Sequence, residues 1–373
     1  MKKVLIVFIA IAAAFFTLVF TLGTFTKGNK DEFKVAMVTD FSDVNDASFN
    51  QACYEGAKEW CSKNGIKFNY YKPTSISMAE RVKSLTLAID RGYDVILCPG
   101  FALGAPIAEV APKHPDVKFI GLDIMEDDFP EGFDLEKNTN ITVYNYHEEI
   151  AGFLAGYGAV KEGFRKLGYL GGMPSSSVIR FGYGYVQGVD WAAKELETDV
   201  ELEYVYGGQF FGDSEIYKYI DNWYKVNETE IVFACGGSIY TSVALAAKEN
   251  NGYMIGVDSD QAPIIDRDYA PGICITSAMK DIKQTVIDKL EALYFEHKWE
   301  TNIRFLGLVS SENPKLNYVQ LPLDTWRMEN FTIDEYKSLL ERIINEEITI
   351  SRDVSHEPIV SQYTKVNYRG SIK

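Results

Sequence analysis

Lys34-Val35-Ala36-Met37-Val38-Thr39-Asp40 is a β-rich apolar run ending on an acid, and Phe49 then opens a helical stretch that stops at Gly65. The cycle repeats at once. Residues 67–72 are strand-like, 78–91 helical with Gly92 as the stop, 94–98 strand-like, 103–113 helical and 117–122 strand-like. Continuous apolar strands joined by helices are buried on both faces, which predicts a parallel sheet covered by helices. Beyond a polar stretch at about 126–140, the spacing predicts helices over 151–162, 183–197, 216–226 and 240–250. Strands are predicted over 167–170, 201–206, 231–235, 253–257 and 273–277. So many units exceed one open sheet of ordinary size, so two doubly wound α/β lobes are expected.

Ligands of such sheets sit beyond the carboxyl ends of the strands. The residues found there are polar or small: Asp40, Pro99-Gly100, Asp123, Gly236-Gly237 and Asp258-Ser259-Asp260. Aromatic residues lie among them, with Phe41 and Phe49 flanking Asp46 and Phe181 following Arg180. Carboxylates that accept hydrogen bonds, beside flat apolar faces, suit a neutral polar ligand carrying rings and hydroxyls. A sugar would offer its C–H face to those rings; a nucleobase would stack between them, at about 1–3 kcal/mol per base. Local structure offers competing roles. Asp46 can cap a helix, Phe49 and Phe181 can be core or staple residues, Asn50 an exposed first-turn residue, and Lys280 can pair on the surface. Gly182-Tyr183-Gly184 does not directly follow a strand and is read as a helix start packed closely on a sheet.

Catalysis has little to stand on. The chain has no G-x-S-x-G elbow, no G-x-x-x-x-G-K-[ST] loop and no H-E-x-x-H helix, so no catalytic residue is assigned. His114, His147, His297 and His356 lack metal-ligand spacing, and neither a metal nor a cofactor is expected. Cys53, Cys61, Cys98, Cys235 and Cys274 are odd in number, without C-x-x-C spacing, and are read as buried core residues.

The 373 residues carry a formal charge of −16, which repels a phosphate backbone and argues against nucleic-acid binding. Val4 to Phe25 is an uncharged run preceded by Lys2 and Lys3. At about 22 residues it exceeds a signal-peptide core and reaches about 33 Å as a helix. It is read as an uncleaved membrane anchor holding an extracytoplasmic body, with a cleaved signal peptide as the alternative.

Longer motifs narrow the choice. Thr39-Asp40-Phe41-Ser42-Asp43-Val44-Asn45-Asp46-Ala47-Ser48-Phe49-Asn50-Gln51, followed by Glu55-Gly56, resembles the opening motif of the basic membrane protein family. Gly256-Val257-Asp258-Ser259-Asp260-Gln261 and Thr276-Ser277-Ala278-Met279-Lys280 are similar to its second and third motifs, and 181–188 to its cleft-aromatic segment. These are ABC-transporter substrate-binding proteins, many of them purine-nucleoside receptors. The resemblance implies a type I periplasmic-binding-protein fold with three crossovers and a cleft closed by hinge motion. Phe49 and Phe181 would sandwich a base whose edges Asp46 and Asn50 read, with Asp40 orienting them. Asp123 and Asp258 would accept ribose hydroxyls, Lys280 would donate to a ribose oxygen, and Gly236 and Gly237 would allow close backbone approach. Implied partners are a nucleoside and the ABC permease and ATPase subunits. A sensor of the same fold and a sugar-binding protein are the alternatives.

The chain departs from the family pattern in places. Ala47 stands where Lys is common, Ile239 and Tyr240 add bulk beside the expected ribose site, and the lipid-anchoring cysteine is absent. The expected division is 1–32 anchor or signal and linker, 33–144 with 275–304 the first lobe, 145–274 with 305–353 the second, and 354–373 a polar tail.

Overall fold

Val35 to Val38 and Val95 to Cys98 are fully buried, as uninterrupted apolar runs require of central strands. The computed structural model that shows this describes residues 32–40 and 42–373; the expected N-terminal anchor and Phe41 lie outside them. No helix among the described residues is long and apolar enough to cross a membrane.

The first part of the chain runs β1 (Lys34–Val38), α1 (Phe49–Asn64), β2 (Lys67–Tyr71), α2 (Met78–Asp90), β3 (Val95–Pro99), α3 (Gly104–Val110), β4 (Lys118–Leu122) and β5 (Ile141–Tyr146). The middle follows with α4 (Glu148–Glu162), β6 (Lys166–Gly171), α5 (Ser176–Glu195), β7 (Val200–Tyr206), α6 (Ser214–Lys225), β8 (Ile231–Cys235), α7 (Tyr240–Asn250), β9 (Tyr253–Asp258), α8 (Ala262–Asp268) and β10 (Cys274–Lys280). The remainder is α9 (Ile282–Tyr294), β11 (Asn302–Leu306), β12 (Val319–Gln320), α10 (Ile333–Ile344) and β13 (Thr364–Ser371).

Two sheets result, ordered β11-β5-β4-β3-β1-β2 and β12-β10-β9-β8-β6-β7-β13. Every named pairing is parallel except the short antiparallel one between β10 and β12. The chain crosses between the lobes at His147, at Asp281 and along 307–318. These crossovers lie side by side: His147 N donates to Leu306 O (2.9 Å), Tyr318 N to Gly307 O (3.0 Å) and Asp281 N to Tyr318 O (2.9 Å).

Several expectations change. Residues 275–280 were assigned to the first lobe, but β10 is hydrogen-bonded to β9 in the second sheet. The chain returns only after Lys280, where α9 packs on α1. The first sheet likewise keeps the chain to Tyr146 and takes back β11 up to Leu306, past the expected breaks at 144 and 304. Ile141–Tyr146, unrecognised as a strand behind the polar stretch, is buried throughout. Helix α5 begins at Ser176 rather than 183, so Phe181 lies in its second turn and not at its start. The tail is not featureless either, since β13 pairs with β7 at the edge of the second sheet. All five cysteines are free and buried.

Glycine spacing explains how α4 and α5 pair. Gly152 and Gly156 on α4 face Gly184 and Gly188 on α5, so the backbones touch: a Cβ on Gly184 would collide with the Glu149 carbonyl, and one on Gly188 with that of Phe153. Gly182 lies against Tyr204 and Tyr169 of the sheet, as expected, but it is not a helix start, and Gly184 packs on α4 instead. This contact fixes Glu148, at the start of α4, relative to Arg180 and Phe181 on α5. Gly188→Ala should overpack it and lower stability by about 1–3 kcal/mol, read as a shifted urea midpoint with an unchanged slope.

Candidate functional site

A cavity of about 540 Å³, counting its mouth, lies between the lobes where the strand ends converge. The ten residues singled out from the sequence all line it. The first lobe contributes Asp40 after β1, Asp46, Phe49 and Asn50 around the start of α1, and Asp123 after β4. From the second come Phe181 on α5, Gly236 and Gly237 after β8, Asp258 ending β9 and Lys280 ending β10.

Lys280 is the electrostatic centre. It is 3 % exposed, and its Nζ pairs with Asp123 Oδ2 of the opposite lobe. Asp258 Oδ1 lies at 3.4 Å and Glu148 Oε1 at 3.8 Å. The ring centroids of Phe49, Phe181 and Tyr146 surround the ammonium at 4.7, 5.3 and 5.4 Å. Burial opposes this charge, but Asp123, Asp258 and Glu148 outweigh it and hold the lysine above its ordinary value. Beneath it, Arg180 Nε bonds Glu148 Oε2 at 2.6 Å, both side chains being buried. Burial nevertheless pushes the Glu148 carboxyl up to about 7. Lys280 was expected to serve a ribose oxygen; its contacts here are to carboxylates.

Asp46 takes the local role the sequence left open. Its Oδ1 accepts from Ser48 N and Gln51 N at 3.0 Å each, and its Oδ2 from Asn50 N (3.1 Å) and Asn50 Nδ2 (3.4 Å). Ser48, directly before α1, makes no side-chain cap, so Asp46 satisfies the helix's free N–H groups in its place. With about four acceptor positions on a carboxylate, little remains for a ligand edge. Burial raises its carboxyl to about 6 against those bonds. Asn50 Oδ1 and Asp123 Oδ1, by contrast, are buried acceptors without a hydrogen-bond partner among the described residues. Asp40 Oδ1 accepts from Ser42 N at 2.9 Å, which holds its own loop.

Besides the Lys280–Asp123 pair, further hydrogen bonds join the lobes beside the cavity. Ser48 Oγ donates to Asp258 Oδ2 (2.5 Å), and Gln261 Nε2 to the carbonyl of Ala47 (3.0 Å). Asp123 and Asp258 both adopt positive φ, 53° and 62°, a region that Asp tolerates better than most residues. Gly236 and Gly237 have φ of 136° and 50°, and the Phe210 ring lies against Gly236 where a side chain would stand.

Residues 33–352 match the Bmp family, described as ABC transporter substrate-binding protein PnrA-like. The chain belongs to this family. A Lactococcus lactis relative, the ABC transporter nucleoside-binding protein BmpA, is 30 % identical over 245 residues, which are 62 % of this chain and 65 % of that protein. The alignment therefore spans just under two thirds of the lactococcal protein. Basic membrane protein A of Borreliella burgdorferi is 26 % identical over 338 residues, covering 88 % of this chain and 91 % of that one. Among solved structures, an ABC transporter solute-binding protein from Aeropyrum pernix superposes with a TM-score of 0.65 at 21 % identity, over 85 % of this chain and 87 % of that one. That likeness concerns the fold, a type I periplasmic-binding-protein architecture of two α/β lobes.

Within this Bmp-family cavity the expected bulk of Ile239 and Tyr240 is absent. Both side chains pack into the core of the second lobe, and Phe210 occupies the wall instead. Ser42, Phe101, Ser175, Ser177, Val178, Phe210, Cys235 and Val257 also line the cavity and were not singled out beforehand. Several of them end a strand or sit in the loop after one, so extending the strand-end rule to the loops after β6 and β7 would have found Ser175 and Phe210, whereas Ser177 and Val178 lie in the first turn of α5. Glu148 and Arg180 had no such signal, because a buried charge in the first two turns of a helix looks like an exposed one.

Two measurements follow from these charges. Lys280→Met leaves three buried acids without their shared cation and should lower stability by about 3–5 kcal/mol in urea unfolding. Asp46 holds its proton more tightly folded, at about 6, than unfolded, near 4, so its contribution is intact below about pH 4 and lost as pH rises toward 6. Asp46→Asn should therefore narrow the loss of melting temperature between pH 4.5 and 7; equal losses in both proteins would refute the assignment.

Proposed function

We propose that this chain binds a nucleoside, of the purine class, in the interlobe cavity and delivers it to an ABC permease and its ATPase. Delivery takes place at the extracytoplasmic face of a membrane, with the N-terminal apolar segment as anchor. The observation that carries the reading is the pairing, in one cavity, of Phe49 and Phe181 with Asn50 Oδ1 and Asp123 Oδ1, buried acceptors that no described residue satisfies. Rings of that kind stack on a base, and the acceptors suit an amino or ring N–H and a ribose hydroxyl. Asp258 joins Asp123 at the ribose, and Lys280 holds both in place from behind. Asp46 fixes the helix turn that presents Phe49 and Asn50. An acid-lined cavity disfavours phosphate, so nucleosides are preferred over nucleotides. The name of the lactococcal relative points the same way.

Adenosine, guanosine or inosine should raise the melting temperature, whereas ribose, glucose and AMP should not. A shift with the sugars alone would transfer the site to sugar binding. Phe181→Ala should weaken nucleoside binding in calorimetry by about 1–3 kcal/mol, the stacking contribution of one base. An unchanged affinity would show that the ring does not meet the ligand.

A further inference from the structure

The family match ends at residue 352, yet the chain from its last residues onward is built into the second lobe. Ser351 exchanges two hydrogen bonds with Gln187 of α5, at 2.8 and 2.9 Å. Ser361 donates from N and Oγ to Asp190 Oδ1, at 2.8 and 2.6 Å, less than a turn further along the same helix. β13 then follows β7, and Ile372 N donates to Tyr206 O at 2.8 Å.

Past the strand, Lys373 turns toward the loop 207–213. Its Nζ meets Gln209 Oε1 at 2.9 Å and pairs with the Asp213 carboxylate. Gln209 Nε2 donates to Asp213 Oδ2 (2.9 Å) and to Phe211 O (2.8 Å). Ammonium, amide and carboxylate thus tie together the two sides of the loop. Phe210 lies between those ties: its ring forms part of the cavity wall against Gly172 and Gly236, and its carbonyl accepts from Ser238 N at 2.9 Å.

We propose that Lys373 is a positioning residue for the ligand cavity, holding the 207–213 loop so that Phe210 and the Gly236–Gly237 turn keep their places in the wall. The proposal rests on the nucleoside reading only for its affinity measurement. An ion pair near the surface is weak by itself, so the effect is several-fold and not a loss of function. Because the pair lies at the rim of the sheet, it is separable from global stability.

The test compares the full chain with Lys373→Met and Lys373→Arg. Amide exchange is followed at Ser238 and along 207–213, with inosine affinity and the urea midpoint measured in parallel. In Lys373→Met, exchange should rise by about threefold to tenfold at these amides, the midpoint should hold, and inosine affinity should fall by about twofold to fivefold. Lys373→Arg, which keeps the charge, should restore both. Unchanged exchange at Ser238, or an affinity loss accompanied by a matching fall in the urea midpoint, overturns the proposal. Should the unmodified chain bind no nucleoside, the functional reading fails, and the exchange measurement alone decides this one.

Discussion

A lysine ammonium removed from water must find carboxylates or be neutralised, because its desolvation amounts to several kcal/mol. Lys280 stands at the end of β10, where the chain leaves the second sheet for the first lobe, and has almost no exposed surface. Its charge therefore dictates the neighbourhood. Asp123 must come from one lobe and Asp258 from the other, and both accept an uncommon backbone conformation to reach it. Glu148 supplies a third acid, which then requires Arg180. The close backbone contact of α4 with α5, made possible by four glycines, is what brings Glu148 and Arg180 within reach.

The same arrangement sets the character of the cavity. Part of the chain's excess acid is gathered at the strand ends around a single cation instead of being spread over the surface. The ammonium is also ringed by aromatic faces, so the apolar and ionic parts of the wall are one construction. Asp46, Ser48 and Gln261 complete it by holding the start of α1 against the second lobe.

Much of this was legible in the sequence because buried parallel strands are apolar without interruption and end on the residues that matter. β1, β3 and β8 are of that kind, and Asp40, Gly100 and Gly236 follow from their ends. What escaped was governed by contacts with other parts of the chain. Ile141–Tyr146 mixes threonine, tyrosine and asparagine with only two aliphatic residues and becomes a buried strand only between β4 and β11. The first turns of α5, Ser176 to Gly182, carry serine and glycine that propensity alone disfavours, and close packing on α4 overrides it. The place of β10 in the second sheet is decided by pairing with β9, to which local pattern is blind. For Asp46, spacing offered capping and ligand recognition alike, and the hydrogen bonds to the start of α1 show the first of these.

β13 also determines what the second sheet presents to its surroundings. An uncovered β7 would offer a long row of unpaired N–H and C=O groups to any passing strand. β13 takes that row, with Lys365 and Arg369 paired back onto Glu201 and Glu203 of β7, and the register break between Tyr368 and Ser371 makes its own outer side a poor template for another chain. The added strand thus works as a stop against sheet-to-sheet association, a hazard that grows wherever many copies of a protein are concentrated on one surface.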